Sequence, residues 1–439
     1  MTRRIAQDDL LHSTAADWRD ADNVDLLARW QPMTDWMDAR LAEGLDAGCK
    51  SNSARIGPHV VGRDRAGRGL SGLNLAMQDA LSLASHPQIL TAASAAARRF
   101  GVHAAGPAAQ MGLSTLTAML EDRLSMFLGC EDATVFASGW LAGYGAVTTL
   151  VREGDHVLID RCTRSCLQDG ARASGARLHP VPHRGEGTIA DRLERLRDED
   201  PQAGILVVVS AMAPCESEAA DLERLQRLCK RHAATLMVDV THDLGILGQT
   251  GRGVLEMQQM LGKVDVVLGS FARVFASNGG FVASSHPALK LALRLGSSTQ
   301  ADTTALSPVQ AAVALAALDI ITNQEGAERR ARLIDNARRL RQGLDAAGFR
   351  SSGQPGAVIS VPLGRVGPAR RLTADLLAHG VLVNLEEGLD DPGDACWRLK
   401  PMADHSPEDI DTFISVLTAA RDRLIAADES SYRARYAVA

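Results

Sequence analysis

The sequence predicts an α/β fold: a large domain around a buried, mostly parallel sheet, a smaller α+β domain after it, and a helical arm in front. Three observations predict it. Between about Gly72 and Ile320, short β-rich runs alternate with helical patterns. Those runs are continuously apolar, as strands covered on both faces are. Beyond the long helical stretch that ends near Leu344, the pattern changes to a few short strands and one closing helix.

Taken in order, residues 1–50 are expected to be helical. Trp18, Leu26, Leu27, Trp30, Trp36, Met37 and Leu41 recur at helical steps between charges. Such an arm has no core of its own, so the body or a partner subunit must cover it. Ser51–Gly72 is rich in Gly, Ser and Arg and reads as a linker or short hairpin. Strands are expected at Ala133–Ala137, His156–Asp160, Ile205–Val209, Thr235–Val240, Val264–Gly269 and Gly280–Ala283, with helical patterns such as Leu113–Leu128 and Leu222–His232 between them. A long helical pattern runs from Pro308 to about Leu344. Strands near Ala357–Pro362, Val381–Asn384 and Trp397–Lys400 follow, then a helix over Pro407–Ala426. The domains expected are 1–75, 76–320 and 321–439.

Composition narrows the function classes. The 439 residues are 46% hydrophobic and 23% charged, which suits a folded globular chain. A net charge of −6 offers no broad basic surface to nucleic acid or anionic lipid. Seven scattered cysteines, an odd number, point to a reducing compartment rather than a disulfide framework. The N-terminus turns acidic at once and carries no apolar signal core, so a cytoplasmic location is expected. No run approaches the roughly 18 apolar residues of a membrane helix. No metal site is expected. Lysine occurs only at 50, 230, 263, 290 and 400.

Three stretches carry chemistry. Leu236-Met237-Val238-Asp239-Val240-Thr241-His242 is an apolar strand ending in a carboxylate, with a histidine three residues on. That pair can hold a protonated ring nitrogen and a neighbouring ring oxygen; equally, Asp239 can cap the next turn and His242 be a buried histidine. Gly269-Ser270 leads from a strand into a small-residue turn with Gly279-Gly280, and Ser270 can donate to a phosphate. Ser138-Gly139-Trp140 opens a helix after a strand, and free N–H groups at a helix N-terminus bind phosphate.

In this order the stretches resemble the α-oxoamine synthases, which are fold-type-I pyridoxal-phosphate (PLP) enzymes. The likeness runs from Gly72 to the last helix through Asn74-Leu75, Gly106-Pro107, Ser138-Gly139-Trp140, Asp160, Val238-Asp239, His242, Gly251-Arg252-Gly253, Gly279-Gly280, Thr304, Arg398-Leu399 and His405. Gly106-Pro107 and Phe275-Ala276-Ser277 look closest to the serine palmitoyltransferase branch. The resemblance implies a seven-stranded large domain and a homodimer with its site at the interface. It also implies substrates: an acyl thioester on coenzyme A or a carrier protein, and a small amino acid or amine. Asp239 would face the PLP ring nitrogen and His242 its phenolic oxygen. Ser138, Gly139, Trp140, Ser270 and the partner subunit's Thr304 would hold the phosphate. Arg398 would hold the substrate carboxylate.

Departures from the family cluster at the centre of the site. Arg273 stands at the Schiff-base lysine position, and a guanidinium cannot form that bond. Arg164 stands at the position of the ring-stacking histidine, Val240 follows the ring aspartate, and Ala108 and Ala272 replace family residues. The expectation is therefore no covalent cofactor, with PLP bound non-covalently if at all. Arg273 would hold an anion or pair with Asp239, and Arg164 and His103 would help bind substrate. His103, Cys162, Cys166 and Cys215 could border this pocket, and a Cys–His acyl acceptor there is outweighed by ordinary buried thiols. The function expected is an acyltransferase of this type, with catalytic roles for His242, Arg273 and Asp239. The alternatives are a non-catalytic subunit supporting a lysine-containing partner, or a ligand-binding protein on the same fold.

Overall fold

Seven strands build the large sheet, in the spatial order Asp132–Phe136, Gly280–Ser284, Val266–Ser270, Thr235–Asp239, Ile205–Ser210, His156–Asp160, Arg177–Val181. Only Gly280–Ser284 runs against its neighbours; the remaining ladders are parallel. Six of the seven match the apolar runs of the sequence. Arg177–Val181 escapes that reading because it is Arg-Leu-His-Pro-Val at the sheet edge, where only one neighbour needs its hydrogen bonds. The structure is a computed structural model, described for residues 5–436 apart from 21, 46–47, 214–216, 352 and 389–392, with side chains described through residue 427.

The inner strands are buried along their whole length, Ile205–Ser210 at every residue. Their core joins Val157, Ile159, Leu206, Val208, Met237, Val266 and Leu268 to helix residues Ala142, Ala146, Val147, Leu167 and Ala171. Parallel strands end at a common edge, and the loops leaving that edge carry the candidate residues.

The chain divides into two compact units, Gln78–Ile334 and Met1–Met77 with Asp335–Ala439. The N-terminal arm shares a unit with the C-terminal segment. The arm folds as helices Gln7–His12 and Gln31–Ala42 with two short 3₁₀ turns around Leu10, Trp18 and Trp36. Arg370, fully buried, donates to the Leu11 carbonyl at 2.7 Å and pairs with Glu387, which fixes the arm to its own unit. Leu27 and Trp30 stay exposed. Residues 51–74 form the expected hairpin, His59–Arg63 against Gly69–Asn74, extended by Ser51–Asn52 and Val381–Leu382. A three-stranded sheet of Ile359–Arg365, Asp394–Leu399 and Leu385–Glu387 completes that unit. The stretch from Pro308 breaks into two helices, Pro308–Ile321 and Gln324–Ala346.

Among the described residues no helix is long and apolar enough to cross a membrane, and no group of three or more His, Cys, Asp or Glu is placed to hold a metal ion.

Candidate functional site

Asp239 is the last residue of its strand, paired in register with Ser210 on one side and Leu268 on the other. It is buried, and both carboxylate oxygens are engaged. Oδ1 accepts the Thr241 N–H at 3.0 Å, the two-residue turn that a strand-end aspartate makes with its own backbone. Oδ2 accepts Nε of Arg164 at 2.6 Å. Burial alone would raise this carboxyl; the Arg164 guanidinium, hydrogen bonding from Thr241, and His242 outweigh it and hold the group below the usual carboxylate range. Burial pulls the Arg164 guanidinium the other way, and Asp239 more than restores it.

Arg164 arrives from the next strand-end loop. Asp160 closes its strand by accepting the Cys162 N–H at 2.8 Å and a His183 ring nitrogen at 2.5 Å, and Thr163 Oγ1 donates to the Asp160 carbonyl at 2.7 Å. That turn sets Arg164 at the N-cap of helix Ser165–Ala173. Its Nη1 reaches the Gly139 carbonyl at 3.1 Å, while Nη2 is buried without a partner.

Gly139 begins a third wall. Ser138 caps helix Gly139–Leu150 by accepting the Leu141 N–H at 3.1 Å, which leaves the N–H groups of Gly139 and Trp140 without intrahelical acceptors. A Cβ on Gly139 would lie 2.6 Å from Ser270 Oγ and 3.1 Å from Arg164 Nη1. The glycine thus keeps open a cradle shared by the helix N-terminus, Ser270 and Arg164.

The structure corrects the expected Asp239–Arg273 pair and places the other candidates. Asp239 pairs with Arg164, not Arg273. Residue 273 lies on the turn after its strand, where its guanidinium donates to Gln78 Oε1 and its carbonyl accepts the Ala80 N–H at 3.2 Å. Spacing along the chain could not choose between two arginines on different loops. Trp140 stacks on Tyr144, with ring centroids 5.0 Å apart, because the two are four residues apart on one helix face. Thr304 is exposed and bridges to Pro107 of the same chain. His103 is exposed before Gly106. Arg398 lies in the other unit and is held by Glu386 at 3.0 Å. Cys166 is buried against Gly143 and its thiol is pushed up to about 11 by burial, which leaves no reactive thiolate. Cys162 is disulfide-bonded, contrary to the all-reduced expectation. Cys215 lies outside the described residues.

One residue escaped the sequence reading. Asp243, four positions after Asp239, is wholly buried; its Oδ2 accepts the Val254 N–H at 2.7 Å and its Oδ1 has no partner. Gly253, at φ +74°, makes room, since a Cβ there would meet Asp243 Oδ2 at 2.2 Å. Burial, with Asp239 nearby, pushes the Asp243 carboxyl up to about 8. The folded state therefore keeps a proton that the unfolded chain releases above about pH 4. Stability from this group is full at acid pH and falls as pH rises toward 8, by on the order of 1 kcal/mol per pH unit. Asp243→Asn is expected to remove that slope. Urea unfolding of parent and variant between pH 5 and 8 checks it; parallel curves for the two proteins exclude a buried neutral Asp243.

The family model for aminotransferase class I and II matches residues 71–417. The chain belongs to the aminotransferase class I and II family. Within the family it is similar to α-oxoamine synthases. An 8-amino-7-oxononanoate synthase of Trichlorobacter lovleyi is 33% identical over 343 residues, covering 77% of this chain and 86% of that one. Serine palmitoyltransferase of Sphingomonas paucimobilis is 30% identical over 424 residues, covering 96% and 98%. Among solved structures, Sphingomonas wittichii serine palmitoyltransferase superposes with a TM-score of 0.84 at 28% identity, covering 92% of this chain and all of that one. The fold-type-I architecture expected from sequence is confirmed by that likeness.

The comparisons also overturn the expectation of no covalent cofactor. A serine palmitoyltransferase structure with TM-score 0.84, 28% identical to this chain, is of the enzyme with PLP as an internal aldimine. The expectation rested on Arg273 and on the departures around it at Arg164, Val240, Ala108 and Ala272. The residues present fit PLP at two ends. Gly139, Trp140 and Ser270 would hold a phosphate in the space that a Cβ on Gly139 would fill, and Asp239, a buried and ionised carboxylate, would face a ring nitrogen.

Proposed function

We propose that this chain is an α-oxoamine synthase-type acyltransferase, joining an acyl thioester to a small amino acid or amine as a homodimer. The observation that carries it is the convergence of Asp239, Arg164, Gly139 and Ser270 at the carboxyl edge of the sheet. The synthases similar to the chain over nearly its whole length support the reading.

PLP, when bound, supplies an electron sink for negative charge developing on carbon. The chain's own residues do the rest. Asp239, kept ionised, would hold the proton on the ring nitrogen. His242 would orient the phenolic oxygen. The helix N-terminus at Gly139 and Trp140, with Ser270 and Thr304 of a second copy, binds the phosphate. Arg273 stabilises negative charge developing on the acyl oxygen.

The test uses the purified chain with PLP, after light scattering has confirmed a dimer. Acyl-CoA thioesters and acyl carrier protein thioesters of graded length are each offered with small amino acids. The expected result is thiol release that requires both substrates, with a condensed product seen by mass spectrometry. Thiol release indifferent to the amino acid shows simple hydrolysis and refutes the condensation. No release with any pair, alone or mixed with a catalytically competent synthase, refutes the acyltransferase reading; enhancement of that synthase marks a supporting subunit.

A further inference from the structure

We propose that Arg164 is the chain's own occupant of the cofactor's ring-nitrogen site, and that cofactor binding requires it to leave Asp239. The inference rests on the proposed function for the identity of the cofactor, and on four observations for the role of Arg164.

First, both oxygens of the acceptor are already engaged. Oδ1 of Asp239 is taken by the Thr241 N–H at 3.0 Å, and Oδ2 by Arg164 Nε at 2.6 Å. The oxygens keep spare lone pairs, so the competition is for the space in front of Oδ2, which Arg164 Nε fills. Second, the exchange is like for like. A guanidinium and a protonated pyridine ring are both planar cations that donate from nitrogen, so each satisfies the buried carboxylate and each excludes the other. Third, the present arrangement is incomplete for Arg164 itself. Its Nη2 is buried without a partner, and the Thr241 hydroxyl beside Asp239 is also buried without one. A buried guanidinium N–H without an acceptor is costly, which favours a second position where an anionic oxygen meets it. Fourth, Arg164 is tied to the phosphate cradle as well as to the ring site. Nη1 lies on the Gly139 carbonyl at 3.1 Å, and a Cβ on Gly139 would meet both this nitrogen and Ser270. One side chain therefore spans the two ends of the space a phosphorylated pyridine needs.

Arg164 in this role is a positioning residue. It keeps Asp239 ionised and in place, and it lowers the apparent affinity for PLP by the fraction of molecules in which the pair is closed. A merely structural arginine predicts the opposite: its removal would loosen the pocket and weaken binding.

The experiment compares the parent with Arg164→His and Arg164→Gln, by titration with PLP followed by cofactor absorbance and tryptophan fluorescence. Both variants are expected to melt lower than the parent without PLP and yet to bind PLP about tenfold tighter or more. Equal or weaker binding by a variant that retains its far-ultraviolet circular dichroism overturns the proposal. Should neither variant fold, crystals of the parent soaked with PLP decide. An Arg164 Nε displaced out of hydrogen-bond reach of Asp239 Oδ2 supports the proposal, and an intact pair beside bound PLP overturns it. Binding does not depend on turnover, so the two readings separate. Parent and variants that bind PLP alike while the parent condenses substrates remove only the role of Arg164. A parent and variants that all fail to bind PLP remove this role together with the cofactor in the proposed function.

Discussion

Asp239→Ala is expected to destabilise the protein by about 3–5 kcal/mol, because it leaves the Arg164 guanidinium buried without its counter-charge. The size follows from the geometry. The Asp239 side chain is 2% exposed and that of Arg164 19%, so water replaces little of the lost interaction. The double variant Asp239→Ala/Arg164→Met is expected to recover much of the loss, since it removes both charges and leaves apolar volume. Urea unfolding of the parent, the two single variants and the double variant measures the coupling. A double variant whose loss equals the sum of the singles would show that the two residues act independently and would dissolve the pair as a unit of the site. The folded-state carboxyl lies below its unfolded value of about 3.9, so the pair contributes fully above that pH and loses its contribution as pH falls further. The opposite trend from Asp243 lets acid and neutral unfolding separate the two aspartates. In turnover, loss of the charged partner at the reacting ring is expected to cost about a hundredfold or more.

Gly280→Ala is the second large effect. Its Cβ would stand 2.5 Å from Gly139 Cα, 2.9 Å from Gly139 N and 2.8 Å from the Gly269 carbonyl oxygen. All three atoms are backbone, so no side chain can turn aside. Helix Gly139–Leu150 would have to lift off the antiparallel strand, and the amide group at its N-terminus would move with it. The expected cost is about 3 kcal/mol, the upper end of the range for overpacking, together with loss of phosphate affinity. Gly187→Ala is the control. It adds the same methyl group inside helix Glu186–Glu199, where nothing lies within 4 Å, and should gain up to about 1 kcal/mol. Thermal melting of both, with PLP titration of the first, tests the contrast. A Gly280→Ala protein that melts with the parent and binds PLP equally refutes the close packing of helix on strand.

Much of the architecture was legible because burial on both faces leaves a local mark. Ile205–Val209 and Thr235–Val240 are apolar at nearly every position, and only a covered parallel strand needs that. Arg177–Val181 was illegible because an edge strand with a proline leaves no such mark. In the C-terminal segment, Val381–Asn384 reads as one strand, but only Val381–Leu382 pairs, with Leu73 and Asn74, and a strand of another sheet begins at Leu385, both set by partners distant in sequence. The turn at Asp239 and the capped helix at Ser138 were legible too, since each depends on residues two to three positions away.

The sequence by itself determined which side chains stand at the edge of the sheet: a carboxylate ending the strand at 239, arginines at 164 and 273, and small residues at 138–139, 270 and 279–280. Those are local facts, written by strand length and turn chemistry. Tertiary structure alone decided the pairing of Asp239 with Arg164, of Arg273 with Gln78, and the buried neutral state of Asp243. Each depends on how deep a group lies and which of two like charges on separate loops reaches it first, and both are set by the order of strands in the sheet rather than by spacing along the chain.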